Sequence, residues 1–365
     1  MADRPGVPEP PHASAASTAT ASAIAASATA ASTASVTAAS AIATAASATA
    51  ASTASVTTAS AIATAASATA APTASVTIAS AIATAASASA PATVTAATGP
   101  ITAAGVARKA ELDRLAELFR SLGVRRGGVL MVHASLSGTG VAPELVRDAL
   151  LAVLGPAGTL IVPAFTPENS DTSRAYKEAV AELSGPEAAE YRRGMPPFEP
   201  DATACPTMGA LAECVRSTPG AVRSAHPQTS LAGLGARAGK LLRRHPLRSH
   251  LGRLSPMARL YRADAQILLL RVGFEVCSAF HYAEYLMRPR PSRRTYRCVV
   301  GGKGNWVEYR DLELDDSDFG VIGSRLPRRL LAETEWASGT VVLCGMRDVV
   351  GDAKRQMSRY RRALA

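Results

Sequence analysis

Apolar residues follow two regimes along this chain, and the change comes near residue 108. Beyond it they are periodic. Between Lys109 and Gly123, the residues Leu112, Leu115, Leu118, Phe119 and Leu122 recur at helical spacing, and Gly123 predicts the stop. Val129-Leu130-Met131-Val132 predicts a buried strand that opens into the polar turn His133-Ala134-Ser135. Pro143 to Leu154 predicts a helix with Pro at its start. Gly158 then introduces Thr159-Leu160-Ile161-Val162, a second buried strand closed by Pro163-Ala164-Phe165-Thr166. Helices and strands alternating over short connections predict an α/β fold with parallel strands. In such sheets ligands bind beyond the carboxyl ends of the strands. The polar strand ends here are Ser135 to Gly140 and Thr166.

Residues 167–208 are polar and Pro-rich and predict a helical or irregular excursion that covers a site. Helices are expected at Gly209 to Ser217, at Leu234 to Arg244, after Ser255-Pro256, at Phe280 to Met287 and at Arg347 to Leu364. Ile267 to Val272 reads as a third apolar strand. Thr295 to Leu312 alternates around Gly301-Gly302-Lys303-Gly304, as a hairpin does. The basic clusters Arg288 to Arg294 and Lys354 to Arg362 have few interleaved aromatics, so they read as solvated loops and helix faces rather than a nucleic-acid site.

The N-terminal regime changes the domain picture. Residues 31–50, 51–70 and 71–90 are near-identical Ala/Ser/Thr-rich copies of a 20-residue unit, and Pro10 to Ala107 contains no Asp, Glu, Lys or Arg. Such a tract offers too little apolar surface to offset its ordering entropy. The expected organisation is a low-complexity extension over 1–107 and a folded domain over 108–365. The formal charge of +10 arises wholly in the second part and favours an anionic partner. The five cysteines are irregularly spaced with no C-x-x-C, which argues against a disulfide framework or a Cys-rich zinc site and fits a reducing, cytoplasmic setting. No apolar run reaches membrane-spanning length, and no secretory h-region follows Arg4.

Three segments carry candidate chemistry. Arg223-Ser224-Ala225-His226-Pro227-Gln228-Thr229-Ser230 places a histidine among hydroxyls in a loop, where it serves either as a general base or as a satisfied structural group. Cys277-Ser278-Ala279-Phe280-His281-Tyr282-Ala283-Glu284 puts His281 and Glu284 three apart on one helical face, as a surface pair or as half of a metal site that lacks its other ligands. His133, Ser135 and Ser137 lie at a strand end whose hydroxyls and N–H groups suit phosphate or amide contacts, or else form an ordinary capped turn. Gly138-Thr139-Gly140 is neither a dinucleotide fingerprint nor a P-loop.

The order of these motifs resembles the aminoglycoside 3-N-acetyltransferase family. The resemblance runs from about Gly123 to the C-terminal helix and rests above all on the R-S-x-H-P-x-x-S and H-x-A-E segments. It implies transfer of acetyl from acetyl-CoA to the 3-amino group of a 2-deoxystreptamine aminoglycoside antibiotic, which confers resistance. The alternatives are another amine, such as a biosynthetic intermediate, or a non-catalytic binding module. It implies an α/β sandwich with a central mixed sheet and helices on both faces, and no metal, nucleic-acid or membrane partner. Carried over, His226 is the general base, Glu284 its acidic partner, and His281 completes the catalytic set. His133, Ser135, Leu136, Ser137 and Gly140 would contact the pantetheine or phosphates of acetyl-CoA, with Thr166 and Ser230 in the same pocket. The chain departs from the family in carrying Arg271 where Gly is usual and Cys277-Ser278 where Asn-Thr is common. A polycationic substrate calls for acidic residues, and Glu275 and the run Asp315, Asp316 and Asp318 are available.

Overall fold

The structure, a computed structural model, describes residues 103–364; the 20-residue repeats lie outside the described residues. In chain order the elements are α1 (Ala103–Leu122), β1 (Val129–Ala134), α2 (Pro143–Leu154), β2 (Thr159–Pro163), α3 (Arg174–Ala179), α4 (Gly185–Gly194), α5 (Ala210–Ser217), β3 (Val222–Arg223), β4 (Leu231–Gly235) and α6 (Ala238–Leu242). They continue with α7 (Pro256–Arg262), β5 (Gln266–Leu270), α8 (Ala279–Leu286), β6 (Arg293–Val299), β7 (Trp306–Leu312), α9 (Phe319–Ser324), β8 (Leu331–Trp336), β9 (Gly339–Gly345) and α10 (Met346–Leu364). Residues 103–107, expected in the extension, form the start of α1.

Seven strands make one mixed sheet in the order β3-β4-β2-β1-β5-β9-β8. β2, β1 and β5 run parallel at its centre, and β4 and β9 flank them antiparallel. Apart from His133, Thr159 and Gln266 at their ends, the central strands are apolar because both their faces are buried. Along β1, Val129 and Met131 enter one core, and Leu130 and Val132 enter the other. The first core takes Met257 and Leu260 of α7, Phe280 of α8 and Val350 of α10. The second takes Leu115 and Phe119 of α1, Leu150 of α2 and Leu211 of α5. These are the expected sandwich layers. β6 and β7 pair as the expected hairpin, with Tyr296, Cys298 and Tyr309 inside it.

One expected helix starts late. Leu234 to Arg244 divides into the end of β4 and the short α6. Gly233 explains the misreading: a Cβ there would lie 2.5 Å from Ile161 Cδ1 and 2.6 Å from the Leu160 carbonyl, so only glycine lets β4 close against β2. Glycine reads as a strand breaker in sequence, but here it permits close backbone approach. β8 and β9 pair antiparallel at the other end of the sheet.

Candidate active site

The carboxyl ends of β1, β2 and β5 open into a cavity of about 680 Å³. His133, Ser135, Leu136 and Ser137 line it from the end of β1, Phe165 from beyond β2, Glu275, Ser278 and His281 from the approach to α8 and its first turn, and Asp316 from the loop before α9. Four of the five residues expected around the β1 end are therefore at the cavity. The fifth, Gly140, is not among the residues lining it; it shapes the following turn with a left-handed φ of +68°.

His281 and Glu284 project from one face of α8 because they are separated by three residues. Their contact is direct: Nδ1 of His281 lies 2.7 Å from Oε2 of Glu284, whose side chain is fully buried. The carboxylate accepts the Nδ1–H, which leaves the lone pair on Nε2. No described residue hydrogen-bonds that Nε2, and the ring lines the cavity. The other oxygen of Glu284 accepts from Nη1 of Arg361 at 2.7 Å and from the Asp315 N–H at 3.3 Å. Arg361 comes from α10 and forks onto Asp318 at 2.8 and 2.7 Å. Burial weakens its charge, but the hydrogen bonds it donates to Asp318 and Glu284 hold its pKa above the ordinary arginine value. Glu284 and Asp318 thus share one guanidinium between them. The sequence placed Arg361 on a solvated helix face; instead it secures the carboxylate behind the imidazole.

His133 also lines the cavity. It is buried, its Nε2 has no hydrogen-bond partner, and burial lowers its pKa to about 4, so the ring is neutral.

His226 does not pair with Glu284, and this corrects the expected catalytic set. It is fully buried and absent from the cavity wall. Its Nε2–H donates to the Leu247 carbonyl at 3.2 Å, while Nδ1 accepts from the N–H groups of Gln228 and Thr229 at 3.2 and 3.1 Å. Both ring nitrogens are thus occupied. His226 packs between His245 and His250, each with ring centroids 4.6 Å away. Burial, then the neighbouring His250 and His245, push its pKa well below 6.5. Thr166 and Ser230 are also structural. Thr166 donates to the Pro227 carbonyl, and Ser230 donates to the Ala164 carbonyl while accepting from Arg223 at 2.9 Å. Arg223 further donates to the Ala164 carbonyl at 2.7 Å and to the Thr203 carbonyl. The R-S-x-H-P-x-x-S segment therefore braces β2, β4 and the excursion rather than meeting a ligand.

These buried imidazoles make the fold acid-sensitive. Unfolded histidines take a proton near pH 6.5. In the folded chain burial lowers His133 to about 4 and His245 to about 3, and His226 and His250 are lowered too. The unfolded chain then binds more protons below pH 6.5, so stability should fall as pH drops, by about 1.4 kcal/mol per pH unit for each histidine kept neutral. Urea midpoints at pH 7.5, 6.5 and 5.5 test this above the carboxylate range. Equal midpoints would show that the cluster does not stay neutral on folding.

A mixed sheet carrying a histidine–carboxylate pair over a cavity at its parallel strand ends defines an α/β enzyme. The profile of the aminoglycoside 3-N-acetyltransferase family matches residues 131–358, and the chain belongs to that family of acyltransferases. Among its relatives, the SPbeta prophage-derived aminoglycoside N(3')-acetyltransferase-like protein YokD of Bacillus subtilis (strain 168) is 33% identical over 221 residues, 57% of this chain and 78% of that one. The crystal structure of YokD matches with a TM-score of 0.62 at 28% identity, over 68% of this chain and 98% of that one. Aminoglycoside N(3)-acetyltransferase III of Pseudomonas aeruginosa is 30% identical over 253 residues, 67% of this chain and 90% of that one. The structure of AAC-VIa bound to sisomicin matches with a TM-score of 0.56 at 26% identity, over 68% of this chain and 97% of that one.

Among the described residues no helix is long and apolar enough to cross a membrane.

Proposed function

We propose that this chain transfers acetyl from acetyl-CoA to the 3-amino group of a 2-deoxystreptamine aminoglycoside, with His281 as the general base. The carrying observation is a charge contrast. The chain bears +10 overall, yet the cavity wall carries Glu275 and Asp316 and no Lys or Arg among the described residues. Two carboxylates on the same cavity wall as a free imidazole nitrogen suit a polycationic amine. The sisomicin named with AAC-VIa is a ligand of this kind, which supports the reading.

The chemistry assigns each group a task. The amine must be neutral to attack the thioester carbonyl. As its nitrogen forms the new C–N bond, Nε2 of His281 takes the departing proton and the carbonyl electron pair moves onto oxygen. Glu284, held by Arg361, stabilises the imidazolium and fixes the ring. Collapse of the tetrahedral adduct breaks the C–S bond, and the proton on His281 can pass to the leaving thiolate. Neutral His133 and the Ser135 and Ser137 hydroxyls supply hydrogen bonds at the β1 end, where the donor would lie.

Thiol release from acetyl-CoA, followed across a panel of sisomicin, gentamicin and simple monoamines, tests the assignment. Release with the aminoglycosides, and a product acetylated at the 3-amino group, is expected. Release with monoamines alone would move the substrate to another amine class. No release with any amine would remove the acetyltransferase reading.

A further inference from the structure

Arg271 follows β5 directly and adopts a left-handed φ of +57°, a conformation that glycine takes freely and a side-chain-bearing residue takes under strain. It remains tied to the sheet through its N–H, which donates to the Thr340 carbonyl at 3.0 Å. Its guanidinium crosses to the turn after β1, where Nη1 donates to the Ser137 carbonyl at 2.7 Å and reaches the Ser135 carbonyl at 3.4 Å. The slot that holds it is built by an absence: a Cβ at Gly339 would lie 2.8 Å from Cγ and 2.9 Å from Nε of Arg271.

The consequence lies in the turn. The Leu136 carbonyl accepts from the Thr139 N–H at 3.2 Å and from the Thr139 hydroxyl at 2.8 Å. The three consecutive carbonyls of Ser135, Leu136 and Ser137 are therefore engaged, two of them by Arg271. The N–H groups of Leu136, Ser137 and Gly138 bond to no described residue. In a trans peptide the N–H points opposite to the C=O. Drawing the Ser135 and Ser137 carbonyls toward Arg271 turns the N–H groups of Leu136 and Gly138 away from it. The result is a turn with its acceptors satisfied and its donors open, at the edge of the cavity lined by Ser135, Leu136 and Ser137.

We infer that Arg271 is a positioning residue for the acyl donor: by holding two carbonyls it presents open backbone N–H groups to oxygen atoms of acyl-coenzyme A. This rests on the acetyl-CoA reading above and adds a residue outside the histidine–carboxylate machinery. Arg271→Gly is the informative variant, because glycine suits the left-handed backbone and removes only the clamp.

The test measures coenzyme A binding by calorimetry and steady-state kinetics on the full chain, for wild type, Arg271→Gly and Arg271→Lys. Arg271→Gly should weaken coenzyme A binding and raise KM for acetyl-CoA by about tenfold, the loss of one charge-assisted clamp and its preorganisation. Its kcat and its KM for the amine should stay within about twofold, and its melting temperature close to wild type, since relieved strain offsets lost hydrogen bonds. Arg271→Lys should recover part of the binding. Unchanged coenzyme A affinity in Arg271→Gly overturns the inference, and so does a loss of affinity accompanied by an equal fall in kcat and a lower melting temperature. A wild-type chain that binds no coenzyme A overturns the donor reading itself, which is a separate result.

Discussion

Replacing His281 with alanine should lower turnover about a thousandfold, within the range that positioned general bases contribute. The loss follows from geometry. Among the described residues, His281 alone offers the cavity a basic nitrogen backed by a buried carboxylate. The side chain borders open space, so its removal leaves the apolar cores intact and the variant should fold. His226→Ala should behave in the opposite way. It strips partners from the Leu247 carbonyl and from the Gln228 and Thr229 N–H groups in a fully buried setting, at a cost of about 3 kcal/mol in stability. The fraction that remains folded should turn over within a few-fold of wild type, because His226 does not reach the cavity. Thermal melts and initial rates on the two variants separate the roles. An inactive His226→Ala with a wild-type melting temperature, beside an active His281→Ala, would exchange them.

The contrast shows which parts of the site local sequence encodes. The spacing of His281 and Glu284 is a local fact, and the helix converts it into contact. The Ser135-Leu136-Ser137 turn was legible because a buried strand must end where its apolar run ends. Whether His226 faces a ligand depends on how the 245–250 loop and the β6–β7 hairpin fold over it, through His245, His250 and Tyr309. No pattern near residue 226 carries that information. Arg361 lies 77 residues from Glu284, in a helix whose other arginines are mostly on the surface, so its ion pair leaves no local trace. The same logic divides the strands. β1, β2 and β5 are buried on both faces and read as apolar runs, whereas β4 intersperses its two leucines with Ala232, Gly233 and Gly235, and the two glycines permit its close approach to β2.

Two of the departures from the family pattern also acquire physical content. Ser278 lines the cavity just before α8, while Cys277 is buried in the core, where burial raises its thiol pKa to about 12 and leaves it protonated. Asp311 plays a quieter part. Burial opposes its charge, but hydrogen bonds from the ring of His250, from the Tyr285 hydroxyl and from the His250 N–H keep its pKa below the usual carboxylate value. That network pins the 245–250 loop, whose His245 and His250 pack against His226.

Glu284→Gln should be nearly as damaging as loss of the base itself, lowering kcat by about a thousandfold, although it preserves shape and hydrogen-bonding capacity. The reason is the tautomer. The position now held by Oε1 faces two donors, Arg361 and the Asp315 N–H, so a glutamine must place its carbonyl oxygen there. Its NH2 group then occupies the position of Oε2 and points at Nδ1 of His281. Nδ1 must become the acceptor, and the ring proton moves to Nε2, the nitrogen that has to receive the proton from the amine. The base is present but blocked, and the charge that would stabilise an imidazolium is gone. Arg361, left with Asp318 as its anionic partner, keeps the helix in place, so the melting temperature should change little. Initial rates across pH 6 to 9, with a melt of the same sample, give the decision. A Glu284→Gln variant with wild-type kcat would mean that the carboxylate does not set the proton on His281, and the assignment of His281 as base would lose its support.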